Sequence, residues 1–165
     1  MTNLVDRALK FATIAHADQK RKYTGQPYIV HPIEVMKIVQ TVEHDEAMLA
    51  AALLHDVVED TDITIEVIAD TFGEDVASLV DDLTDVSKPE DGNRKTRKAL
   101  DRAHSAKASA RAQTIKLADL ISNSSDILEN DPKFAKVYLA EKELLLEVLT
   151  EGDAILRKQA AEFLV

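Results

Sequence analysis

Apolar positions in this chain recur at steps of three and four residues, the spacing of helix faces rather than of strands. Leu4, Ala8, Phe11, Ala12 and Ala15 mark a first helix within residues 4 to 19. RKYTGQPYIVHP, residues 21 to 32, breaks the pattern with Gly25 and Pro27 and predicts a loop. Pro32 suits the first turn of a second helix running to about Val42, which leaves His31 near its N-cap. After His44 and Asp45 the pattern changes: Met48 to Leu54 are all apolar, so the third helix has no solvent-facing stripe and is expected to be buried. Thr64 is placed to cap a helix ending at Phe72, Gly73 stops it, and another helix follows from Glu74 to about Thr84. SKPEDGNRKTRK, residues 87 to 98, predicts a mobile loop leading into a basic helix. Residues 110 to 128 are helical again around Ile115, Leu117, Leu120 and Ile121; Asp131 and Pro132 open a further helix, and Gly152 sets off a last short one.

The composition agrees with an all-α fold: 45% of the 165 residues are apolar, only 4% aromatic, and glycine and proline number four each. That length predicts a single domain over residues 1–165, a compact helical bundle with a real core. There is no cysteine, so any metal must be held by imidazole and carboxylate. No charged leader precedes an apolar run, and no apolar stretch approaches the ~20 residues of a bilayer span, so the expected location is cytoplasmic. A net charge of −10 argues against general nucleic-acid binding.

The chemistry begins where the buried third helix ends, in AAALLHDVVEDT. On one continuous helix His55, Asp56, Glu59 and Asp60 share an arc of roughly 140°, opposite Leu53, Leu54, Val57 and Val58. Placing an imidazole and carboxylates against a core is costly unless a cation compensates them. The competing reading is an amphipathic helix end whose acids face water. Asp119 interrupts the apolar pattern of KLADLISN and raises the same question, with an arginine partner or a capping role as its alternative. Glu59 and Asp60 lie one turn beyond His55 and Asp56 and are expected to face the same cavity. A basic island from Lys88 to Lys107, and a second basic point at Arg21 and Lys22, suit clustered phosphates or, alternatively, a solvated surface.

Four blocks, AHADQKRKYTGQPYIVHPIEV, AALLHDVVEDTDIT, FGEDVASLVDDLTD and IKLADLISN, resemble in order the HD-superfamily phosphohydrolases. Within these they resemble the hydrolase domain of RelA/SpoT-type alarmone enzymes, particularly the free-standing small alarmone hydrolases that include the metazoan SpoT homologue. The resemblance implies an HD-fold bundle with His31, His55, Asp56 and Asp119 as metal ligands. It favours Mn²⁺ where the donor set alone would also accept Fe²⁺, Co²⁺ or Zn²⁺. It ties Glu59 and Asp60 to hydrolysis, where a carboxylate near the attacking water can accept its proton.

By the same resemblance Arg21 and Lys22 lie against the base of the nucleotide and the basic helix, with Arg94, Lys95 and Lys98, contacts phosphates. Asn123 borders the nucleotide, and Tyr138 matches a tyrosine of the next helix. Spacing leaves open which of Arg94, Lys95, Arg97 and Lys98 points inward. Two departures from the family pattern, Leu120 after the KLAD aspartate and Phe134 four residues before Tyr138, stand where basic residues are usual. The implied activity is removal of the 3′-pyrophosphate of (p)ppGpp, giving GDP or GTP and pyrophosphate. No synthetase, TGS or ACT-like segment fits in this length. The alternatives are an adenine alarmone, a nucleoside monophosphate or NADPH at the same metal site, or a non-enzymatic nucleotide-sensing module.

Overall fold

The computed structural model describes residues 3–164. Ten α-helices and one 3₁₀ turn follow one another, and among the described residues the only strand-like pairing is an isolated antiparallel bridge between Lys20 and Pro27. That bridge closes the predicted 21 to 32 loop into a tight lobe, with Gly25 at its tip in the left-handed region (φ 72°).

Helix α3 (Glu46–Leu54) is the centre of the fold. Asp45 caps it by accepting from the Met48 amide at 2.9 Å, and every residue from Met48 to Leu54 is buried. Around it pack α1 (Leu4–Ala15), α2 (Val30–Val39), α6 (Glu74–Leu83) and α8 (Ala110–Asn130). Leu53 and Leu54 are fully inaccessible, and burial of each side chain contributes about 2 kcal/mol. Helices α5 (Ile65–Phe72) and α6 meet at Gly73, whose φ of 96° lets one helix stop and the next start without a linker. On the far side, α7 (Arg94–Ala106) packs on α9 (Pro132–Val148), and α10 (Ala154–Glu162) returns to α8. That return needs Gly152: a Cβ there would stand 2.6 Å from Leu117 Cδ1. The close approach lets the Glu151 amide donate to Gln113 Oε1 and the Asp153 amide to Thr114 Oγ1.

Three expectations change. The first helix ends at Ala15 and the second at Val39, earlier than residue 19 and Val42. Arg94 already begins α7, capped by Asn93, and the segment before it is tied down: Asp101 accepts from the Val86 and Ser87 amides and the Ser87 hydroxyl. The continuous helix through Asp60 is broken at His55 and Asp56, and residues Val57–Asp60 form a separate turn, α4. The His55 ring donates from Nδ1 to the Ala52 carbonyl at 2.6 Å, competing for the acceptor an unbroken helix would offer the Asp56 amide.

Candidate metal centre

Three segments converge on one point. The first turn of α2 supplies His31, the joint between α3 and α4 supplies His55 and Asp56, and the middle of α8 supplies Asp119. Asp119 Oδ1 lies 2.9 Å from His31 Nε2 and 3.2 Å from His55 Nε2; Asp56 Oδ2 lies 3.0 Å from His55 Nε2 and 3.7 Å from His31 Nε2. Ligand atoms of His31, His55 and Asp56 all fall within 4.8 Å of one another, close enough to share one ion. Each imidazole is held from behind. His55 Nδ1 donates to Ala52, and His31 Nδ1 is 3.0 Å from Ser122 Oγ, so both Nε2 atoms face the convergence point. This all-N/O donor set fits a divalent cation.

The electrostatics are those of a tightly held charge cluster. Burial alone would lower the His55 pKa, but Asp56 and Asp119 outweigh it and hold the ring well above the ordinary histidine value. Burial likewise opposes ionisation of Asp56 and Asp119; His55 and, at Asp119, the His31 hydrogen bond prevail, taking Asp56 to about 2 and Asp119 well below the usual range. Tyr28 Oη donates to Asp56 Oδ2 at 2.6 Å, and Asn123 Nδ2 donates to Asp119 Oδ1 at 3.1 Å. Burial and the Asp56 charge push the Tyr28 phenol strongly upward, so it stays a donor.

Glu59 and Asp60 stand beside this cluster, and among the described residues neither hydrogen-bonds to its four members. Glu59 Oε1 accepts from the Asp85 amide at 2.6 Å. Crowding by surrounding protein, then Asp85 and Asp56, push its carboxyl up to about 7, although its side chain remains open to solvent that screens part of the effect. Asp60 Oδ2 accepts from Gln19 Nε2 at 3.0 Å, and Gln19 Oε1 is 2.8 Å from His16 Nδ1; burial and Asp56 raise the Asp60 carboxyl against that hydrogen bond.

The predicted substrate residues divide. Arg21 bonds Asp126 at 2.9 Å and lies 5.8 Å over the Tyr28 ring, one side chain away from Asp56, whereas Lys22 turns outward over Tyr23. Arg94 clasps Glu141 through Nε and Nη2 and rests on the Phe134 ring, and Lys95 is exposed beside it. Of the basic helix, Lys98 points inward to a cavity behind the centre. Tyr138 is buried, its hydroxyl and the Ser124 hydroxyl lacking a well-formed hydrogen bond. Leu120 is buried in the core, so that departure does not reach the site. Sequence reasoning missed Tyr28, Ser122, Lys116 and the pair His16 and Gln19. Ser122 was recoverable, because 119, 122 and 123 share one face of a helix at steps of three and four.

A helical bundle that gathers two imidazoles and two aspartates from three separated segments has the architecture of a histidine–aspartate hydrolase domain. The chain belongs to the HD domain family, whose pattern matches residues 8–144. It is 43% identical over 127 residues to the guanosine-3′,5′-bis(diphosphate) 3′-pyrophosphohydrolase MESH1 of Drosophila melanogaster, covering 75% of this chain and 69% of that protein. With the Xenopus tropicalis protein of the same name the identity is 39%, over 79% of this chain and 73% of that one. A probable 3′-pyrophosphohydrolase from Synechocystis is 54% identical over 85 residues, 52% of this chain but only 11% of its own length. Among solved structures, a metazoan ortholog of SpoT described as hydrolysing ppGpp superposes with a TM-score of 0.87 at 34% identity, covering 99% of this chain and 94% of that one. Among the described residues no helix is long and apolar enough to cross a membrane.

Proposed function

We propose that this chain is a 3′-pyrophosphohydrolase of (p)ppGpp that works with Mn²⁺ held by His31, His55, Asp56 and Asp119. The observation that carries the reading is the approach of Asp119 Oδ1 to within 3.2 Å of both imidazole Nε2 atoms, in a chain so similar along its length to MESH1. A divalent cation bound there supplies Lewis acidity to the water and to a phosphoryl oxygen. The chain's own groups do the rest. Ala52 and Ser122 fix the imidazoles, Tyr28 holds Asp56, and Asn123 holds Asp119. Glu59, with a carboxyl poised near neutrality, takes the proton from the attacking water, and Asp60 orients that water. The water oxygen bonds to the 3′-linked phosphorus, the bond from that phosphorus to O3′ breaks, and O3′ takes up a proton as pyrophosphate departs. Arg21 flanks the nucleotide, while Lys98 and the neighbouring cations offset the diphosphate charge.

The test is purified protein with Mn²⁺, offered ppGpp, pppGpp, the adenine alarmone and NADPH side by side, with products separated by chromatography. Pyrophosphate release from the guanine alarmones is expected. Turnover of another nucleotide with none of ppGpp would overturn the substrate, and no turnover of any would overturn the enzyme.

A further inference from the structure

Helices α7, α8 and α9 enclose a cavity of about 60 Å³ next to the metal centre. That is room for about four waters or one phosphoryl group of similar bulk. Four cations reach it: Lys98 and Arg102 from α7, Lys116 from α8 and Lys142 from α9. Three acids also line it: Glu141 is engaged by Arg94 and Asp101 by the amides of Val86 and Ser87, while the Asp85 carboxylate faces the cations. Among the described residues Lys98, Arg102 and Lys142 form no ion pair, and Lys116 has only a loose one, 3.9 Å to Asp119 Oδ2. The Lys142 ammonium is set 5.0 Å over the Tyr138 ring. Lys116 and Asp85 border both spaces, since Lys116 approaches Asp119 and the Asp85 amide bonds Glu59.

We propose that this cavity is a phosphoryl subsite in which Lys142, with Lys116 and Lys98, holds the terminal phosphoryl group of a diphosphate whose other phosphorus lies at the metal centre. Naming that diphosphate as the one attached to O3′ rests on the hydrolase reading above; the excess of cations over acids in this cavity does not. Ammonium groups from three different helices face one small space in which four cations stand against three carboxylates, and a tetrahedral dianion offers each ammonium an oxygen. Burial, reinforced by Lys116 and Lys98, pushes the Lys142 ammonium down to about 8, a strain that an entering phosphoryl group relieves.

The experiment is calorimetric titration of inorganic pyrophosphate into Mn²⁺-loaded and into chelator-treated protein, for wild type, K142M, K142R and the exposed control K158M. K142M is expected to weaken pyrophosphate binding by about tenfold or more in both forms, with K142R and K158M close to wild type. Without pyrophosphate K142M should melt no lower than wild type, because a repelled cation has been removed. No pyrophosphate binding by wild type, unchanged binding by K142M, or equal losses in K142M and K158M would overturn the subsite. Should K142M fail to fold, K142Q takes its place under the same criteria. Lys142-dependent pyrophosphate binding in a protein that hydrolyses no nucleotide keeps the subsite and removes the hydrolase. Hydrolysis with wild-type KM and pyrophosphate inhibition in K142M does the reverse.

Discussion

Asp119 and His31 lie 88 residues apart in the chain, yet Asp119 Oδ1 sits 2.9 Å from His31 Nε2. The contact exists because α2 and α8 pack along one another, and Ser122, three residues on from Asp119, backs the same imidazole. In the proposed reading Asp119 is a metal ligand rather than a helix cap, and Asp119→Asn tests the difference. Metal content by elemental analysis should fall, and kcat/KM should drop by more than about 100-fold, above the range for groups that merely support ligands. Full metal retention in D119N would remove it from the ligand set.

Metal binding should depend on pH in a direction set by His55. Its folded pKa lies above the unfolded value of 6.5, so its contribution to stability is complete below 6.5 and is lost as pH rises through the raised value. Asp56 is depressed from 3.8 to about 2, so its contribution is complete above 3.8 and is lost as pH falls toward 2. Chelated protein should therefore be most stable between these limits. A cation must displace the His55 proton, so Mn²⁺ should raise the melting temperature more at pH 8 than at pH 6 and release protons on binding. Calorimetry in buffers of different ionisation enthalpy measures that release; a pH-independent metal increment would contradict it.

Glu59 must be ionised to accept a proton, and its carboxyl titrates near 7. The rate with saturating metal should accordingly climb as pH passes upward through about 7. Glu59→Gln should lower kcat by about a hundred- to ten-thousandfold and abolish that limb of the profile. Asp60 is separable, because it is held by Gln19 rather than by Asp85. A pH profile unchanged in shape in E59Q would assign the proton to another group.

Gly152→Ala places a methyl group 2.6 Å from Leu117 Cδ1 and 3.3 Å from the Gln113 backbone. Leu117 is fully buried and cannot swing clear. Chemical denaturation should show a loss of about 1 to 3 kcal/mol. A variant as stable as wild type would mean that the turn before α10 has slack.

Much of this was written in the residues at hand. The unbroken apolar run from Met48 to Leu54 announces a helix wrapped on all sides, and the structure puts α3 there. Pro32, Gly73 and Asp131 mark helix boundaries because their backbone demands are local. What escaped depends on long-range geometry. The bend at His55 follows from a ring reaching back to Ala52, which periodicity does not register. Tyr28 gains its place from the Lys20 to Pro27 bridge, and Lys142 is one more polar position of α9 until α7 and α8 close around it. The basic helix was legible as basic, but only packing against α9 decides that Lys98 turns in while Arg94 is taken up by Glu141.

One rod carries most of this machinery. From Gln113 and Thr114, which anchor the return to α10, through Lys116, Asp119, Ser122 and Asn123 to Asp126, which clasps Arg21, α8 runs about 20 Å without interruption. Sliding it by a single residue would turn every one of these groups by about 100° at once. The register of this helix thus couples the C-terminal docking, the candidate metal centre and the Lys20 to Pro27 lobe, and tightening any of them stiffens the others.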